Sequence, residues 1–217
     1  MSSCKATVTG IEELAPSVLQ LTLALSDEKF SFQPGQWVNF HFPDGVSRAY
    51  TIASAPQRPH AVQLCVRVGS GRGSTAIQKL NAGDTVCIDG PHGDFVLPAG
   101  DARDLVFLAG DTGIAPVRSI VLHMLATGDP RRICVLYEPD QRCILYAADF
   151  DPLARAGQIA HMSGAVESLI ERNRSAIPSS VVMAVGFDEF LDRARAALRK
   201  IDMDLDAAIF ETFGRQP

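Results

Sequence analysis

The sequence lacks any C-x-x-C pair of cysteines. The cysteines are dispersed along the 217 residues, as Cys4, Cys65, Cys87, Cys134 and Cys143. An odd number of scattered thiols favours reduced cysteines in the cytosol and argues against disulfides, a zinc site or an iron–sulfur cluster. The histidines show no metal-binding spacing either, and His92, within GPHGDF, is expected in a loop. We predict no metal site.

Basic blocks and long apolar runs are also missing. Lysine and arginine number 20 against 25 acidic residues, a net charge of −5. Without a basic block, no region should bind nucleic acid by displacing the counterions of its phosphates. No apolar run approaches the length of a membrane span, and the N-terminal MSSCKATVTG has no signal-peptide core. The composition, 47% hydrophobic and 21% charged, is that of a globular protein. We expect a cytoplasmic protein with no nucleic-acid partner.

The first hundred residues predict short strands separated by turns. GQWVNFHF alternates Trp37, Asn39 and His41 with apolar residues, and PDG, GSGRG and NAGD mark turns. Short strands at regular spacing are typical of a small antiparallel barrel or sandwich. STAIQKL is the helical exception, with Ser74 predicted as its N-cap. We assign residues 1–100 to an antiparallel β-barrel domain.

From Asp104 onward, predicted strands alternate with predicted helices. The strands are DLVFLAG, RRICVLYEP, GQIAHMSG, SSVVMAVG and AAIFETF. Strand and helix in alternation predict a parallel, doubly wound sheet. We assign residues 104–217 to this α/β domain, with the polar, turn-rich LPAGDARD as the hinge before it.

Two glycine-rich turns are candidate phosphate sites. AGDTGIAPV joins a predicted strand to a helix, where glycines allow close approach and the first helical N–H groups attract anions. GSGRGST has the same character, although either turn alone is also compatible with a tight connection. SRAYTIASAP places Arg48 and Tyr50 on one face of a strand. A cation beside an aromatic ring suits a nucleotide cofactor, which is part anion and part aromatic.

Together these motifs resemble the ferredoxin–NADP reductase superfamily, whose members have an FAD-binding barrel followed by a nucleotide-binding domain. RAYTIAS is similar to the family's Arg-x-Tyr-Ser/Thr-x-x-Ser flavin motif, GRGST to its second flavin element, and GPHGDF to the element that closes the barrel. GDTGIAP resembles the nicotinamide-nucleotide turn, and FETF the terminal acid-plus-aromatic strand. The motifs follow the family's order over nearly the whole chain.

The resemblance implies that the barrel binds FAD. Arg48 would pair with the flavin pyrophosphate, because a guanidinium fork suits two phosphate oxygens. Tyr50 would lie on the isoalloxazine ring, and Thr51 would act in catalysis by hydrogen bonding near flavin N5. The other cofactor-binding residues implied by the motifs are Ser54 and the backbone amides of Gly73, Ser74 and Thr75.

The resemblance also implies an NAD(P)H site in the second half. Glu211 is implied as catalytic, and the implied binding residues are Gly110, Thr112, Gly113, Ile114, Pro116, Gly186 and Phe213. Glu138 stands where an acid would meet a ribose hydroxyl and repel the extra phosphate of NADPH, which favours NADH. Arg142 would oppose that preference, and a plain solvated loop position is the alternative for Glu138.

Three features depart from the family's pattern. Asp111 replaces the second glycine of the nucleotide turn, and we expect its carboxylate to point outward. Val185 stands where the family usually has cysteine, and Phe187 follows the retained Gly186. The region around AGQIAHMSGAVESL is trimmed, which leaves less chain to cover the adenosine end.

The resemblance therefore implies an NAD(P)H-dependent flavoprotein reductase that passes hydride to FAD and electrons onward to a separate acceptor. A ferredoxin, an oxygenase component, free flavin or a small electrophile would each be compatible as that acceptor. The alternative is a flavin-bound interaction or electron-relay subunit with a degenerate nicotinamide site, supported by Asp111 and Val185. Within the enzyme class, FMN in place of FAD is a further alternative.

Overall fold

Six antiparallel strands form a closed barrel in the first part of the chain. The computed structural model describes residues 3–42, 45–58, 60–140 and 143–215. The barrel strands are β1 (Ser3–Ala15), β2 (Val18–Leu25), β3 (Trp37–His41), β4 (Ser47–Ile52), β5 (Ala61–Arg67) and β6 (Thr85–His92). They pair in the order β1-β2-β5-β4-β3-β6, and β6 closes on β1. The predicted antiparallel barrel is confirmed.

Side-chain alternation determines which residues of the barrel strands face the core. In β3, Val38 and Phe40 are 0% and 1% exposed, while the residues between and beside them are half-buried. In β4, Tyr50 pairs with Val38 and Arg48 pairs with Phe40, so Arg48 and Tyr50 share the core-side face. Thr51 therefore lies on the outer face of the barrel.

The short helix α1 (Arg72–Ile77) begins earlier than predicted. Gly71 is its N-cap, without a side-chain cap bond, so the prediction that Ser74 caps the helix is wrong. The Ser74 hydroxyl instead accepts a hydrogen bond from the Gly69 N–H at 2.8 Å. This bond closes the glycine-rich loop that leads into α1.

The second part of the chain forms a five-stranded sheet. Its strands are β7 (Leu105–Gly110), β8 (Ile133–Glu138), β9 (Ala160–Ser163), β10 (Val181–Gly186) and β11 (Ile209–Thr212). They lie in the order β11-β10-β7-β8-β9, and every pair is parallel. Strands β7 and β10 are buried throughout, as expected for strands covered on both faces. The predicted parallel, doubly wound sheet is confirmed.

In the described part of the chain, four α-helices lie in the connections between the strands of this sheet. They are α2 (Ile114–Thr127), α3 (Ala147–Arg155), α4 (Val166–Arg172) and α5 (Asp188–Lys200). Helix α5 shows why these segments are helical, since its buried residues recur at helical spacing, as Phe190, Leu191, Ala194, Ala197 and Leu198. Acidic residues occupy its first turn and basic residues its last turn, which complements the helix dipole.

The chain divides into two compact units. One combines Met1–Leu97 with Arg118–Thr127, and the other combines Pro98–Val117 with Gly128–Pro217. The division after Leu97 falls within the predicted hinge, but the end of α2 groups with the barrel strands. The domain assignment 1–100 and 104–217 therefore stays a prediction. Across the described ranges, no helix is both long and apolar enough to span a bilayer.

His161 is a buried titratable group in the second unit. Its ring lies 5.2 Å from that of Phe150 and stacks at 6.5 Å on Tyr137, and its side chain is 6% exposed. Burial lowers the pKa of this imidazole, although Asp151, with its carboxylate oxygen 3.9 Å from Nδ1, opposes the shift. The folded protein therefore disfavours the charged form of His161.

We expect this histidine to make the second unit less stable in mild acid. A lowered folded pKa means that the unfolded chain binds more protons, so stability falls as pH drops through the unfolded histidine pKa of about 6.5. Urea unfolding midpoints at about pH 5.5 and about pH 7.5 measure the loss. His161→Phe, which cannot titrate, should reduce the difference between the two pH values, whereas His123→Gln in α2 should not. An undiminished difference in His161→Phe would contradict the assignment.

Candidate functional site

Strand β4 presents the residues predicted to hold the flavin. The Tyr50 ring is half-buried and meets Phe40 edge-on, with 6.0 Å between ring centroids. Burial raises the pKa of the Tyr50 phenol to about 12, although the nearby Arg48 guanidinium opposes this, so the phenol stays protonated at neutral pH. Arg48 is exposed, and its Nη1 donates to the carbonyl of Ser47 at 2.8 Å.

Gly73 allows the first turn of α1 to lie against Arg48. A Cβ at Gly73 would stand 3.1 Å from Arg48 Cγ and 3.4 Å from Phe42 Cε2, so a larger residue there would require these side chains to shift by a few tenths of an ångström. Gly73 and Ser74 lie in the first turn, where N–H groups have no acceptor within the helix. The Thr75 N–H differs, because it donates to the carbonyl of Gly71 at 3.0 Å. The prediction that the Thr75 amide faces phosphate therefore conflicts with the helix geometry.

This arrangement fits the diphosphate and ring of a flavin dinucleotide. The polar groups brought together are donors, namely the Arg48 guanidinium and the first-turn N–H groups, and no acidic residue lies in the first turn of α1. Guanidinium and main-chain N–H groups are the usual ligands of phosphate oxygens. Tyr50, on the same face of β4 as Arg48, adds an aromatic surface. The individual roles of these residues stay predictions.

Ser54 has a structural role that the motif did not predict. It is 2% exposed, and its Oγ accepts a hydrogen bond from the Gln63 N–H at 3.1 Å. The Ser54 carbonyl also accepts from Ser119 Oγ at 2.7 Å. The hydroxyl can still donate while it accepts this bond, so it is the burial of Ser54 that limits direct contact with a cofactor. The geometry therefore favours Ser54 as a residue that fixes the backbone after β4.

Arg118 is a buried residue of this region that sequence reasoning missed. It is 8% exposed, and its Nη1 donates to the Ala53 carbonyl at 2.8 Å and to Gln63 Oε1 at 3.1 Å. It thereby holds the backbone that directly follows β4. The sequence signal was available, since Arg118 interrupts the otherwise apolar start of α2.

A polar cluster covers part of the outer barrel face beside Thr51. Asp89 accepts hydrogen bonds from His41 Nε2 and His92 Nε2, each at 2.5 Å, and Trp37 packs on the His92 ring at 4.7 Å. Burial would raise the pKa of Asp89, but the hydrogen bonds of His92 and His41 outweigh it and lower the pKa. Trp37 pairs directly with Thr51. His92 ends strand β6, so its predicted loop position is wrong.

The glycines of the nucleotide turn are required by close packing within the second unit. A Cβ at Gly110 would lie 2.4 Å from Phe190 Cγ, and one at Gly113 would lie 2.4 Å from the carbonyl oxygen of Val185. Neither distance can accommodate a side chain. The remaining predicted residues of the turn, Thr112, Ile114 and Pro116, are buried. The turn thus seats the start of α2 directly on strand β10.

Asp111 does not point outward as expected. It is 8% exposed and lies in the 3₁₀ turn Asp111–Gly113, with φ at +51°. Aspartate is among the few residues that tolerate this left-handed backbone region. The expectation of an outward carboxylate is therefore wrong.

A cavity of about 190 Å³ opens at the carboxyl ends of β7, β8 and β10. The strand order reverses between β7 and β10, and ligands of open α/β sheets bind at such a switch point. The lining residues are Gly110, Asp111, Glu138, Pro139, Asp140, Phe187, Glu189, Phe190 and Arg193. This volume is smaller than the roughly 300 Å³ at the low end of ligand pockets, so the cavity suits part of a dinucleotide.

Glu138 is engaged inside the protein rather than being a plain solvated loop residue. It ends strand β8, accepts a hydrogen bond from the Val166 N–H at 2.7 Å, and forms an ion pair with Arg193. Its predicted contact with a ribose stays a prediction. Arg142, the residue expected to oppose a preference for NADH, lies outside the described residues.

The terminal strand brings the last predicted residues to the end of β10. Glu211 is in register with Val185, and the Phe213 N–H donates to the Gly186 carbonyl at 2.9 Å. The rings of Phe187 and Phe213 meet edge-on at 5.8 Å. Val185 is fully buried, so the position where the family usually has cysteine presents no polar group here.

Potential metal ligands do not gather at one place in the described part of the chain. Among the residues of the described ranges, no group of three or more His, Cys, Asp or Glu side chains is placed to hold a metal ion. All five cysteines carry free thiols, and Cys4 and Cys65 are buried.

Comparison with known proteins finds relatives of this chain. Residues 5–97 match the family model described as "Oxidoreductase FAD-binding domain". The chain is 36% identical over 152 residues to the reductase component DmpP of phenol 2-monooxygenase from Pseudomonas sp. (strain CF600), an alignment covering 68% of this chain and 42% of that protein. It is 35% identical over 157 residues to ferredoxin–NADP reductase B of Sorangium cellulosum (strain So ce56), covering 70% and 64% respectively.

A solved structure described as the ferredoxin reductase in carbazole 1,9a-dioxygenase shares the fold. Its TM-score is 0.86 at 18% identity, with 98% of this chain and 69% of that chain covered. The chain thus spans less than two thirds of the length of the two curated relatives described above. Since the barrel matches the FAD-binding family, the second unit has the predicted parallel sheet, and the relatives include a ferredoxin–NADP reductase, the chain belongs to the ferredoxin–NADP reductase-like superfamily.

Proposed function

We propose that this chain is an FAD-containing reductase that passes hydride from NAD(P)H to FAD and electrons onward to a separate acceptor. The observation that carries the proposal is the cluster of phosphate donors formed by Arg48 and the first turn of α1, with Tyr50 beside it. The relatives named above include the reductase component of a monooxygenase and a ferredoxin–NADP reductase. They support an oxygenase component or a ferredoxin as the acceptor class. A cytoplasmic location is part of the proposal.

Each residue of this proposal has a defined task. FAD, when bound, supplies the redox chemistry, accepting hydride and releasing electrons. Arg48 binds the diphosphate, and Tyr50 covers the ring system as a neutral phenol. Thr51 lies on the opposite face of β4 from Tyr50, so its proposed task is a hydrogen bond to the edge of the ring, at the end of the strand. The cavity at the carboxyl ends of β7, β8 and β10 binds NAD(P)H. Gly186, Glu211 and Phe213 lie at the end of the same sheet.

The second candidate function is a flavin-bound electron-relay subunit whose nicotinamide site has degenerated. The buried Val185 and the buried Asp111 carboxylate in the turn favour it. In this case the barrel would bind FAD in the same way, but NADH and NADPH would not reduce it. Only the second unit would differ in function.

Anaerobic reduction separates the two candidates. We expect the purified protein, reconstituted with FAD, to be yellow and to lose its visible flavin absorbance when NADH or NADPH is added without oxygen. Dithionite serves as the control that the bound flavin can be reduced. A flavin that dithionite bleaches but neither nucleotide does would support the relay subunit. A colourless protein that takes up neither FAD nor FMN would contradict both functions.

A further inference from the structure

We propose that Arg118 and Ser119 of α2 are positioning residues of the flavin site. Through the backbone carbonyls of Ala53 and Ser54, they fix the end of β4 and thereby the hydroxyl of Thr51. These roles rest on the proposed function, because they take Thr51 as the residue that hydrogen bonds to the edge of the flavin ring. Neither Arg118 nor Ser119 is assigned a contact with the cofactor itself.

Thr51 lies close to the point where β4 ends. Strand β4 pairs with β3 from Ser47 to Thr51, whereas the described residues pair it with β5 at Thr51–Cys65 and Ile52–Leu64. The strand ends at Ile52, one residue after Thr51. The position of the Thr51 hydroxyl therefore depends on how the residues directly after β4 are held.

Hydrogen bonds from β5 and α2 hold the two residues that follow β4. The Ala53 N–H donates to the Gln63 carbonyl at 2.7 Å, and the Ala53 carbonyl accepts from Arg118 Nη1 at 2.8 Å. The same Nη1 donates to Gln63 Oε1 at 3.1 Å. The Ser54 carbonyl accepts from Ser119 Oγ at 2.7 Å. All of these residues belong to the same compact unit, so α2 holds the end of β4 within that unit.

Burial makes these hydrogen bonds costly to lose. Ala53 and Ser119 are fully buried, and Arg118 is 8% exposed. A buried carbonyl without a donor is destabilising by about as much as a lost hydrogen bond. Hydrogen bonds from charged donors are also stronger than those from neutral donors. The guanidinium therefore fixes the backbone two residues beyond Thr51 more firmly than a neutral side chain would.

FAD binding to the full chain, measured by flavin fluorescence, tests these roles. Arg118→Met removes the bonds to Ala53 and Gln63, and we expect it to weaken FAD binding by about threefold to tenfold, the contribution of one neutral hydrogen bond. In a Thr51→Val background the same substitution should have almost no effect, because the hydroxyl that Arg118 positions is absent. Arg118→Lys keeps a charged donor and should restore part of the affinity.

Thr127→Val is the matched control on the same helix. The Thr127 hydroxyl donates to the His123 carbonyl of α2 itself at 2.9 Å, so its loss should leave FAD affinity unchanged. Urea unfolding of the FAD-free variants shows separately how much stability each substitution removes. A merely structural arginine would lower the unfolding midpoint without any effect on affinity that depends on Thr51.

The outcomes distinguish this inference from the proposed function. An unmodified protein that takes up no FAD would refute the proposed function and the positioning roles with it. If FAD binds, an unchanged affinity in Arg118→Met, or an equal loss with and without the Thr51 hydroxyl, would overturn the inference alone. If Arg118→Met does not fold, Ser119→Ala provides the test, since it removes only the bond to the Ser54 carbonyl. Additive effects of Ser119→Ala and Thr51→Val, or no effect of Ser119→Ala, would equally overturn the inference.

Discussion

Replacing Arg48 with alanine is expected to weaken FAD binding by about tenfold to a hundredfold. The change removes the guanidinium that lies beside Gly73 and the first turn of α1. Hydrogen bonds to charged groups contribute about 1.5–3 kcal/mol, and about 1.4 kcal/mol corresponds to a factor of ten. The ratio of FAD to protein after desalting, and the dissociation constant from flavin fluorescence, measure the effect.

Two further variants define what Arg48 contributes. Arg58→Ala removes an exposed arginine of the same unit and should retain FAD as the unmodified protein does. Arg48→Lys keeps the charge but loses the planar fork, so it should fall between the alanine variant and the original. Equal FAD retention in Arg48→Ala and Arg58→Ala would rule out the donor cluster at α1 as the diphosphate site.

The fold was predictable because local patterns and tertiary burial agree. The alternation around Val38 and Phe40 predicts a strand with one buried face, and both residues are core residues of the barrel. The uninterrupted apolar run of β7 predicts a strand covered on both sides, and all of its residues are buried. Strand patterns of the first kind recur with turn residues between them through the barrel, and buried strands alternate with helices through the second unit. The local patterns of each half therefore agree with the fold of that half.

Individual polar side chains were less predictable, because their partners are remote in sequence. The Ser74 hydroxyl accepts from Gly69 instead of capping α1, and Ser54 accepts from Gln63 across the strands. Arg193 finds Glu138 and Glu167 only after β8, α4 and α5 have packed together. A motif gives the residue type at such a position, but the packing determines which atom it meets.

The nucleotide turn shows how one residue can satisfy two constraints. The sequence predicts Gly110 and Gly113 as positions where a ligand approaches the backbone. In the structure, the atoms that lie against these glycines belong to the protein itself, namely the Phe190 ring and the Val185 carbonyl. A glycine motif therefore cannot by itself distinguish a ligand-binding turn from a turn that is only closely packed.

Replacing Gly35 with alanine is expected to destabilise the barrel unit by about 2–5 kcal/mol. Its φ is +102°, where a side chain costs about 1–2 kcal/mol. A Cβ there would also lie 1.9 Å from the Phe95 carbonyl oxygen, and overpacking a dense region costs about 1–3 kcal/mol more. Because Phe95 belongs to GPHGDF, the element that resembles the family's barrel closure, FAD retention should fall together with the free energy of unfolding.

Gly83→Ala separates the two contributions. Gly83 has φ at +99°, nearly that of Gly35, but nothing lies within 4 Å of a Cβ built there. The variant should therefore lose only the backbone contribution, and the difference between the two alanine variants isolates the contact with Phe95. Urea unfolding followed by Trp37 fluorescence measures both, since Trp37 is the only tryptophan and lies in the barrel. Equal destabilisation by the two substitutions would show that the loop before β3 can move away from Phe95, and the close approach would then not hold the barrel closed.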